Sequence, residues 1–446
     1  MKIKPYITVK IDESKTILFL KKREVKCNKI ISINEVGLQI INMIDKGYSI
    51  PEIEEKLSLK YEVDEKIIKN DVEEFIKKIK NSGLVESTNE EEIGQGSNIQ
   101  YDKEMYAIQE KYKNELKPYK VFVEITYRCN LKCSHCYRGE LLNNNNEQQF
   151  ITKEIFFKLC DDLEKLGVIE LYITGGEPFL HPDIIEMLTY ASSKNMLVTV
   201  LTNGNILFEN NLFDKIKHLS LYDIRFSIYG DEKQHDLMTK INKSYCKTFN
   251  ALKKVSHEMG IGTAVYVLTK ENFKDCESVI KKCKEENIKL AINPLITPTS
   301  LGNLKPTELR ISKEEYKEFL QKYRIGLFGS SCSAGLSKFR VSPDGEVYPC
   351  EFLGEFPLGN LNMEDFDSIL KGAKRQKFIK YFSRLLESHS CNMCENRKYC
   401  NFCPAIFKFE TGSFLKPSKY VCMMSESKRD LSVKNEVKNE TRNKTN

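Results

Sequence analysis

The sequence predicts an α/β protein in three parts: a winged-helix-like α+β domain, a partial (β/α)6 barrel and a cysteine-rich C-terminal extension. Its 446 residues suit two or three domains rather than one. Strand and helix patterns alternate six times between residues 118 and 297, which predicts parallel strands joined by crossover helices. Ten of the fifteen cysteines fall in patterned groups, and seven of those ten follow residue 331.

Charge and hydropathy argue against several functional classes. The 69 Lys and Arg residues and 63 Asp and Glu residues give a net charge of +6 without a basic stripe, so we expect no nucleic-acid partner. Apolar runs fall short of the ~20 residues that cross a bilayer, and residues 1–15 lack the apolar segment of a secretion signal. We therefore expect a cytoplasmic protein without membrane contact. In a reducing compartment, clustered cysteines are more often metal ligands or catalysts than disulfides.

Residues 1–86 predict the first domain. Three β-rich segments, "YITVKI", "TILFLKK" and "CNKIISI", read as short strands. Three helices are predicted after them: one near 34–45, one with a capping-box spacing around Pro51, and one amphipathic helix over about 64–81. Residues 87–117 begin with a polar, aperiodic stretch and predict a linker, in which "KEMYAIQEKYKNEL" suits a connecting helix.

Between residues 118 and 297 the pattern changes to strand–helix units. Amphipathic helices such as 153–166 and 272–286 separate six strand-like segments: "VFVEIT", "ELYIT", "LVTVLT", "DIRFSI", "GTAVYVL" and "LAINPLI". Six units suffice for an open barrel but not for the closed eightfold form, and functional groups are expected at the C-terminal strand ends. Residues 298–331 predict a linker with a helix near 312–324.

Residues 332–425 form the cysteine-rich part. Within it, "FRVSPDGEVYPCEF" predicts a hairpin that turns at Asp344-Gly345. The polar residues 426–446 predict a frayed tail. Five cysteines stand outside any pattern and are expected to be small apolar residues, buried or partly exposed: Cys27, Cys160, Cys246, Cys276 and Cys283.

The stretch "ITYRCNLKCSHCYRG" directly follows the first barrel strand and spaces Cys129, Cys133 and Cys136 as C-x3-C-x2-C. A disulfide uses cysteines in pairs, whereas three thiolates can hold three irons of a [4Fe–4S] cube and leave the fourth iron open. A structural zinc ion would need a fourth ligand nearby. His135, between two of these cysteines, is expected to be a surface or packing residue. The trio therefore favours an open iron–sulfur cluster.

The second barrel strand ends in "YITGGEPFL". Gly175 and Gly176 would let the backbone approach a ligand closely, and Glu177 could accept a hydrogen bond from an ammonium group. Alone, this sequence predicts only a turn. It lies roughly 40 residues after the cysteine loop and at a second strand end, so the two motifs indicate one shared site.

With both motifs present, residues 120–297 resemble the radical S-adenosylmethionine (radical SAM) enzymes. The resemblance implies that the trio holds a [4Fe–4S] cluster, that the methionine moiety of SAM chelates the open iron, and that one-electron cleavage yields a 5′-deoxyadenosyl radical. It also implies cofactor contacts for Tyr137, Gly175, Gly176, Glu177 and Ser227. Asn203 in "LTNG" is either a further contact or a turn cap. Tyr229, where many relatives carry Asp, has no assigned role.

The C-terminal cysteines follow the pattern C-x12-G-x4-C, then C-x2-C-x5-C-x2-C, then a final cysteine. This closely resembles the auxiliary-cluster extension called SPASM, although the family usually has x3 where this chain has x2 between Cys400 and Cys403. The resemblance implies two auxiliary [4Fe–4S] clusters. One would be closed by Cys391, Cys394, Cys400 and Cys422. The other, with an open iron, would be held by Cys332, Cys350 and Cys403.

Two features of this extension have alternative interpretations. Two C-x2-C pairs are also typical of a zinc ribbon, but seven cysteines fit two zinc sites poorly and two cubanes better. Glu351 follows Cys350, at a place where some relatives put an acidic residue near the substrate. It is a candidate general base, and otherwise a solvated charge.

The first domain resembles the PqqD-like recognition element of ribosomal peptide biosynthesis. Such a domain binds an extended leader peptide as an additional strand at an exposed sheet edge. The alternative is a winged-helix nucleic-acid domain, but the 64–81 helix balances five acidic residues against five lysines, which does not favour that reading.

Together the resemblances imply a radical enzyme that modifies a ribosomally made precursor peptide. The overall likeness is to maturases that form thioethers between a cysteine sulfur and a carbon, and it implies an external electron donor such as flavodoxin or ferredoxin. Carbon–carbon cross-linking and epimerisation use the same domains. An anaerobic sulfatase-maturase-like oxidation and a zinc-binding winged-helix regulator are the further alternatives.

Overall fold

The protein was obtained as a computed structural model, which describes residues 3, 6–10, 16–20, 30–82, 84–85, 98–142, 150–323 and 329–444. Its described strands form a three-stranded antiparallel sheet near the N-terminus and a nine-stranded mixed sheet in the rest of the chain. None of the helices in these ranges is both long enough and apolar enough to cross a bilayer.

The N-terminal domain contains the three strands and three helices that the sequence predicts. Its sheet is formed by β1 (Tyr6–Lys10), β2 (Thr16–Leu20) and β3 (Ile30–Ile33), in that order. Its helices are α1 (Glu35–Asp45), α2 (Ile50–Tyr61) and α3 (Glu65–Asn81). The predicted capping box begins α2, since the amide and the hydroxyl of Ser49 each donate to Glu52 at 2.7 Å. Cys27 lies outside the described residues.

Both faces of the N-terminal sheet are covered. One face, with Leu18, Ile31 and Ile33, packs on the three helices. The other face packs on α4 (Asn98–Asn114) and on the barrel, and this contact buries Ile7, Val9, Ile17, Phe19, Met105, Ile108, Tyr119, Ile169 and Leu197. Much of the predicted linker is therefore helical, and the domain is docked on the barrel by an apolar interface.

The barrel has the six parallel strands that the sequence predicts, in sequential order. The strands are β4 (Lys120–Glu124), β5 (Glu170–Thr174), β6 (Leu197–Thr202), β7 (Asp223–Ile228), β8 (Thr263–Val267) and β9 (Lys289–Asn293). The helices between them are α5 (Lys153–Lys165), α6 (Ile184–Ser193), α7 (Leu212–Ile216), α8 (Glu232–Thr239), α9 (Ser244–Met259) and α10 (Cys276–Glu285). The α/β fold class is thus confirmed.

Side-chain alternation separates the apolar core from the concave side of the barrel. In β4, Val121 and Val123 are fully buried in the main apolar cluster beneath the helices. Phe122 points the other way and stacks on Tyr172 of β5, with 4.7 Å between ring centroids. Since neighbouring parallel strands align in register, the concave side is lined by aromatic and charged residues, which suits a substrate chamber.

The C-terminal part extends the same sheet. After α11 (Lys313–Tyr323), the hairpin of β10 (Lys338–Val341) and β11 (Glu346–Tyr348) turns at the predicted Asp344-Gly345, where Gly345 has φ of +82°. Strand β10 pairs in parallel with β4, a contact that the sequence did not predict. The remaining elements are β12 (Gly359–Asn360), α12 (Phe366–Lys371), α13 (Ala373–Glu387), α14 (Pro404–Thr411) and α15 (Lys419–Lys444).

The prediction of a frayed tail after residue 425 is wrong. Helix α15 continues to Lys444 and packs along α11. Its first turns bury Met424 against the main core, and Glu426 and Asp430 each approach a lysine of α11 to 3.4 Å. The low hydropathy of this segment hid a helix that is stabilised by a neighbour far away in the sequence.

The unpatterned cysteines mostly pack as expected. Cys160, Cys276 and Cys283 are buried in the main apolar cluster. Cys246, on α9, is exposed. Every cysteine that the structure describes is a free thiol rather than half of a disulfide.

Candidate active site

The loop that follows β4 brings the first cysteine trio together at the C-terminal mouth of the barrel. Cys129, Cys133 and Cys136 are each partly exposed there. Burial raises the pKa of Cys133, and the charges that Cys136 and Cys129 would carry raise it further, so the three sulfurs are close neighbours. Backbone bonds from Lys132 and Ser134 to the end of α8 hold the loop in place. Three converging thiols with an open side suit a cluster that leaves one iron free.

The two glycines after β5 are required by the cysteine loop itself. A Cβ on Gly175 would lie 2.3 Å from the carbonyl oxygen of Thr126, and one on Gly176 would lie 2.2 Å from that of Arg128. The amides of Gly176 and Glu177 donate to these same two carbonyls at 2.8 Å. The glycine pair therefore joins the two loops into one rigid rim, as well as leaving backbone close to any bound cofactor.

Glu177 ties this rim to the end of β6. Its carboxylate is fully buried and accepts hydrogen bonds from the Thr202 hydroxyl, the Asn203 amide and the Phe179 amide, at 2.7, 2.7 and 3.1 Å. Burial raises the pKa of Glu177 to about 7, although these bonds oppose the shift. Three of the four acceptor positions of this carboxylate are thus occupied, which leaves one position on Oε2 for the predicted bond to the SAM ammonium.

The side chain of Asn203 stabilises a turn and also links the end of β6 to the cysteine loop. Its side-chain oxygen accepts from the Asn205 amide at 2.9 Å, as in an Asx turn. Its side-chain nitrogen donates to Asn130 in the cysteine loop at 2.8 Å. Both ends of the side chain are thus occupied by protein groups, which agrees with the turn-cap alternative, and a direct cofactor contact stays a prediction.

Tyr229, which had no predicted role, lies beside the trio. Burial raises the pKa of Tyr229 well above its ordinary value, and the neighbouring Cys133 raises this pKa further. The ring of His135 packs edge-on against Tyr229 at 4.6 Å. His135 is a packing residue, as expected, but burial lowers its pKa to about 4 and its Nδ1 atom has no partner among the described residues. Ser227 and Tyr229 thus lie close to the cluster site at the end of β7.

The SPASM resemblance divides the seven C-terminal cysteines into two sets, and members of each set lie close enough to influence one another's pKa. In the three-cysteine group, Cys332, Cys350 and Cys403, burial raises the pKa of each thiol to about 11 or 12, and each is raised further by another member. In the four-cysteine group, burial raises the pKa of Cys391 and of Cys422, and the charges that Cys394 and Cys400 would carry raise both further. The sets come together although their members lie up to 71 residues apart in the chain.

The number of cysteines in each group suits iron–sulfur clusters. Among the described residues, no set of three or more His, Cys, Asp or Glu side chains closes tightly enough to hold one metal ion. A cubane makes a different demand, because each thiolate binds its own iron. All-cysteine donor sets of three, three and four fit three such clusters.

The three-cysteine group faces the barrel mouth. Phe352, two residues after Cys350, lies 5.9 Å from the ring of Tyr137, the predicted adenine neighbour. Glu351 forms an ion pair with Lys338 of β10 at 2.9 Å. Burial opposes ionisation of Glu351, but Lys338 prevails and the pKa of this carboxyl is lowered. An ionised, paired Glu351 is a weaker base than an isolated one would be.

A buried charge trio, which no motif signalled, joins the barrel to the C-terminal part. Glu124 at the end of β4 is fully buried and accepts from Arg138 at 2.6 Å and from Arg340 of β10 at 2.9 Å. Both arginines are 3% exposed. The sequence shows Glu124 only as an acidic residue at the end of a strand. Its contact with Arg340 depends on the β4–β10 pairing, which the sequence did not predict.

Comparison with known protein families assigns all three parts. Residues 123–283 match the radical SAM superfamily. Residues 332–403 match the SPASM iron–sulfur cluster-binding domain. Residues 13–85 match the family of coenzyme PQQ synthesis protein D (PqqD).

Individual relatives are more distant. The chain is 28% identical over 302 residues to the antilisterial bacteriocin subtilosin biosynthesis protein AlbA of Bacillus subtilis, and the match covers 63% of this chain and 66% of that protein. It is 24% identical to the mycofactocin maturase MftC of Mycobacterium tuberculosis, covering 69% and 83% of the two chains. An AdoMet-dependent heme synthase of Methanosarcina barkeri is also 24% identical, covering 69% and 96%.

Solved structures share the fold. Streptococcus suis SuiB bound to its precursor peptide SuiA aligns with a TM-score of 0.58 and 15% identity, covering 94% of this chain and 99% of that one. The protein anSMEcpe with bound AdoMet aligns with a TM-score of 0.56 and 18% identity, covering 72% and 94%. At these identities the likeness concerns the fold alone.

Proposed function

We propose that this protein, a radical SAM enzyme with an N-terminal PqqD domain and a C-terminal SPASM domain, modifies a ribosomally made precursor peptide. Its radical SAM and SPASM domains use [4Fe–4S] clusters and S-adenosylmethionine. The peptide substrate is supported by the PqqD domain and by the fold shared with SuiB, which was solved with its precursor peptide. Haem synthases are also among the relatives, but the PqqD domain of this chain favours a peptide.

We assign one cluster to each cysteine group. Cys129, Cys133 and Cys136 would hold the cluster that, once bound with SAM, supplies the one-electron chemistry. The Gly175–Gly176 backbone and the rim that it forms would orient the methionine end, and Tyr137 would pack beside the adenine. Tyr229 would lie beside the Cys133 thiolate.

We propose that the reaction forms a thioether between a core-peptide cysteine and a carbon. The observation that carries this proposal is the three-cysteine group at the barrel mouth, Cys332, Cys350 and Cys403, which is one ligand short of closing a cubane. Soft thiolates suit such an iron. Of the side chains that could be the eighth ligand, Cys283 is buried in the apolar core and Glu351 is paired with Lys338. We therefore propose a substrate thiolate, and water is the alternative ligand.

Spectroscopy of the anaerobic enzyme tests this step. A core peptide with its cysteine should perturb the signals of one auxiliary cluster, and the same peptide with Cys replaced by Ser should not. If both peptides leave every cluster signal unchanged, direct ligation is wrong, and the SPASM clusters only relay electrons. A carbon–carbon cross-linking or epimerising activity would then be favoured.

Leader recognition is assigned to the outer edge of β3. Strand β3 ends the sheet order β1-β2-β3 within the described residues. The opposite edge, at β1, is less open: it lies over a cleft against the barrel that Ile7, Thr8 and Val9 line, and Ile3 is bridged to Val85. An extended leader can therefore add a strand beside β3 more readily.

Hydrogen exchange on the intact enzyme tests the leader site. Removing residues 1–86 would be a poor test, because it would expose the apolar surface on which β1 and β2 are docked. A synthetic leader from a precursor gene beside the enzyme gene should slow amide exchange at Ile30–Ile33, and a scrambled leader should not. Protection confined to β1, or absent from the domain, would contradict the assignment.

A further inference from the structure

The exposed face of α13 carries a groove that the proposed function leaves without a role. This groove has a volume of about 480 Å³ and is lined by Lys377, Lys380, Tyr381, Arg384, Leu385, Ser388 and Leu415. Tyr381 and Leu415 remain 48% and 46% exposed. Apolar contact surface and three cations are thus combined in one place, as at many protein interfaces.

The three cations of the groove are not neutralised by their surroundings. Lys377, Lys380 and Arg384 are all exposed, and within the described ranges none of them takes part in an ion pair. By contrast, nearby Lys371 and Lys408 are paired with Asp367 and Glu355. A cluster of unpaired cations attracts an acidic partner and accelerates its association.

The groove adjoins the four-cysteine group. Ser388 lines the groove, and the next residue, His389, accepts a hydrogen bond from the Cys391 amide at 3.1 Å. The other ring nitrogen of His389 contacts the carbonyl oxygen of Phe414 at 3.1 Å, and Phe414 precedes Leu415 of the groove. Little more than one side chain therefore lies between the groove and the cysteines.

The four-cysteine group also reaches the surface. Cys394 is exposed, and Asn392 fixes its loop to the end of α13 by donating to the carbonyls of Leu386 and Glu387 at 2.8 and 3.0 Å. A cluster held there would be accessible to a second protein seated in the groove. The three-cysteine group, by contrast, faces the barrel mouth.

We propose that the α13 groove docks an acidic one-electron carrier protein of the flavodoxin or ferredoxin class. The proposal rests on the proposed function, because radical cleavage of SAM requires an electron from outside the chain. In the transfer, the reduced carrier loses one electron and the cluster of the four-cysteine group gains it, without a change of covalent bonds. Acidic side chains of the carrier would face Lys377, Lys380 and Arg384, and its apolar surface would contact Tyr381 and Leu415.

Binding measurements on a charge-reversed variant test the surface. The triple variant Lys377→Glu, Lys380→Glu, Arg384→Glu should bind an acidic FMN-loaded flavodoxin at least tenfold more weakly than the wild type at low ionic strength. Raising the salt concentration should weaken wild-type binding towards the variant's level. The matched control reverses three exposed lysines on other faces and should bind normally: Lys158→Glu, Lys274→Glu, Lys284→Glu.

Activity assays then separate this proposal from the proposed function. With dithionite as the reductant, the wild type and the triple variant should cleave SAM at equal rates. With reduced flavodoxin as the reductant, the triple variant should cleave SAM more slowly than the wild type. Equal flavodoxin binding by the triple variant and the wild type would overturn the docking site. So would charge-sensitive binding of an oligonucleotide to the groove with no flavodoxin binding. If dithionite does not drive SAM cleavage, the proposed function is wrong. The flavodoxin-binding result would still show whether the α13 groove is the docking site.

Discussion

The buried charge trio allows a quantitative test of how the SPASM domain is joined to the barrel. Glu124→Gln keeps the shape of the side chain but removes the charge that Arg138 and Arg340 share. Removing one partner of a buried ion pair typically costs about 3–5 kcal/mol, because the remaining charge is left uncompensated. For a cooperative unit of roughly 300 residues, an unfolding entropy of about 2.1 cal/mol/K per residue converts this loss into a Tm decrease of about 5–8 °C.

Thermal unfolding of anaerobically purified protein measures this effect. The matched control is Glu186→Gln, whose carboxylate pairs with Lys153 at 2.9 Å but is 59% exposed, so this variant should melt close to the wild type. The double variant Glu124→Gln, Arg340→Met should be less destabilised than the sum of the single variants, because it also removes one uncompensated cation. Two results would refute this description of the buried charge trio: a Glu124→Gln protein with the Tm of the wild type, or a double variant whose loss of stability equals the sum of the single losses.

Three further predictions concern the active site. The variant Cys129→Ala, Cys133→Ala, Cys136→Ala should form no 5′-deoxyadenosine and keep about eight of roughly twelve irons, measured by metal analysis; normal SAM cleavage would exclude the trio as ligands. Glu177→Gln puts a side-chain amide group beside three groups that donate hydrogen bonds to Glu177. The free energy of unfolding should fall by about 1–3 kcal/mol, and calorimetry should show weaker SAM binding. Unchanged SAM affinity would contradict the role of Glu177 in holding the rim. Glu351→Gln should keep uncoupled SAM cleavage and slow peptide modification at least tenfold if Glu351 is the general base; an unchanged rate by mass spectrometry would leave it as the partner of Lys338 alone.

Local patterns sufficed for most of the secondary structure. The six barrel strands and the N-terminal elements were predictable because their periodicity and caps are encoded within single segments, such as the capping box at Ser49 and Glu52. The α15 helix was mispredicted because its stability depends on α11, about 100 residues earlier, rather than on its own composition.

The residues of the candidate site that are placed by local sequence spacing were predictable. The residues that are placed by pairing between distant strands were not. The cysteine trio and the Gly-Gly-Glu motif lie on two loops of known spacing, so their shared location could be anticipated. The contacts of Arg340 and Lys338 arise from β10 pairing with β4 across more than 200 residues. Nothing local to Tyr229 indicates that it lies beside Cys133, because this depends on how β7 faces the cysteine loop.

The central claim is that this enzyme joins a cysteine sulfur of a precursor peptide to a carbon. The most direct test is mass spectrometry of a neighbouring, cysteine-containing precursor peptide after anaerobic coexpression with the enzyme. A thioether predicts a loss of two hydrogens for each link, together with a cysteine that no longer reacts with a thiol-alkylating reagent. A peptide of unchanged mass, or one that loses two hydrogens while every cysteine remains alkylatable, would contradict it.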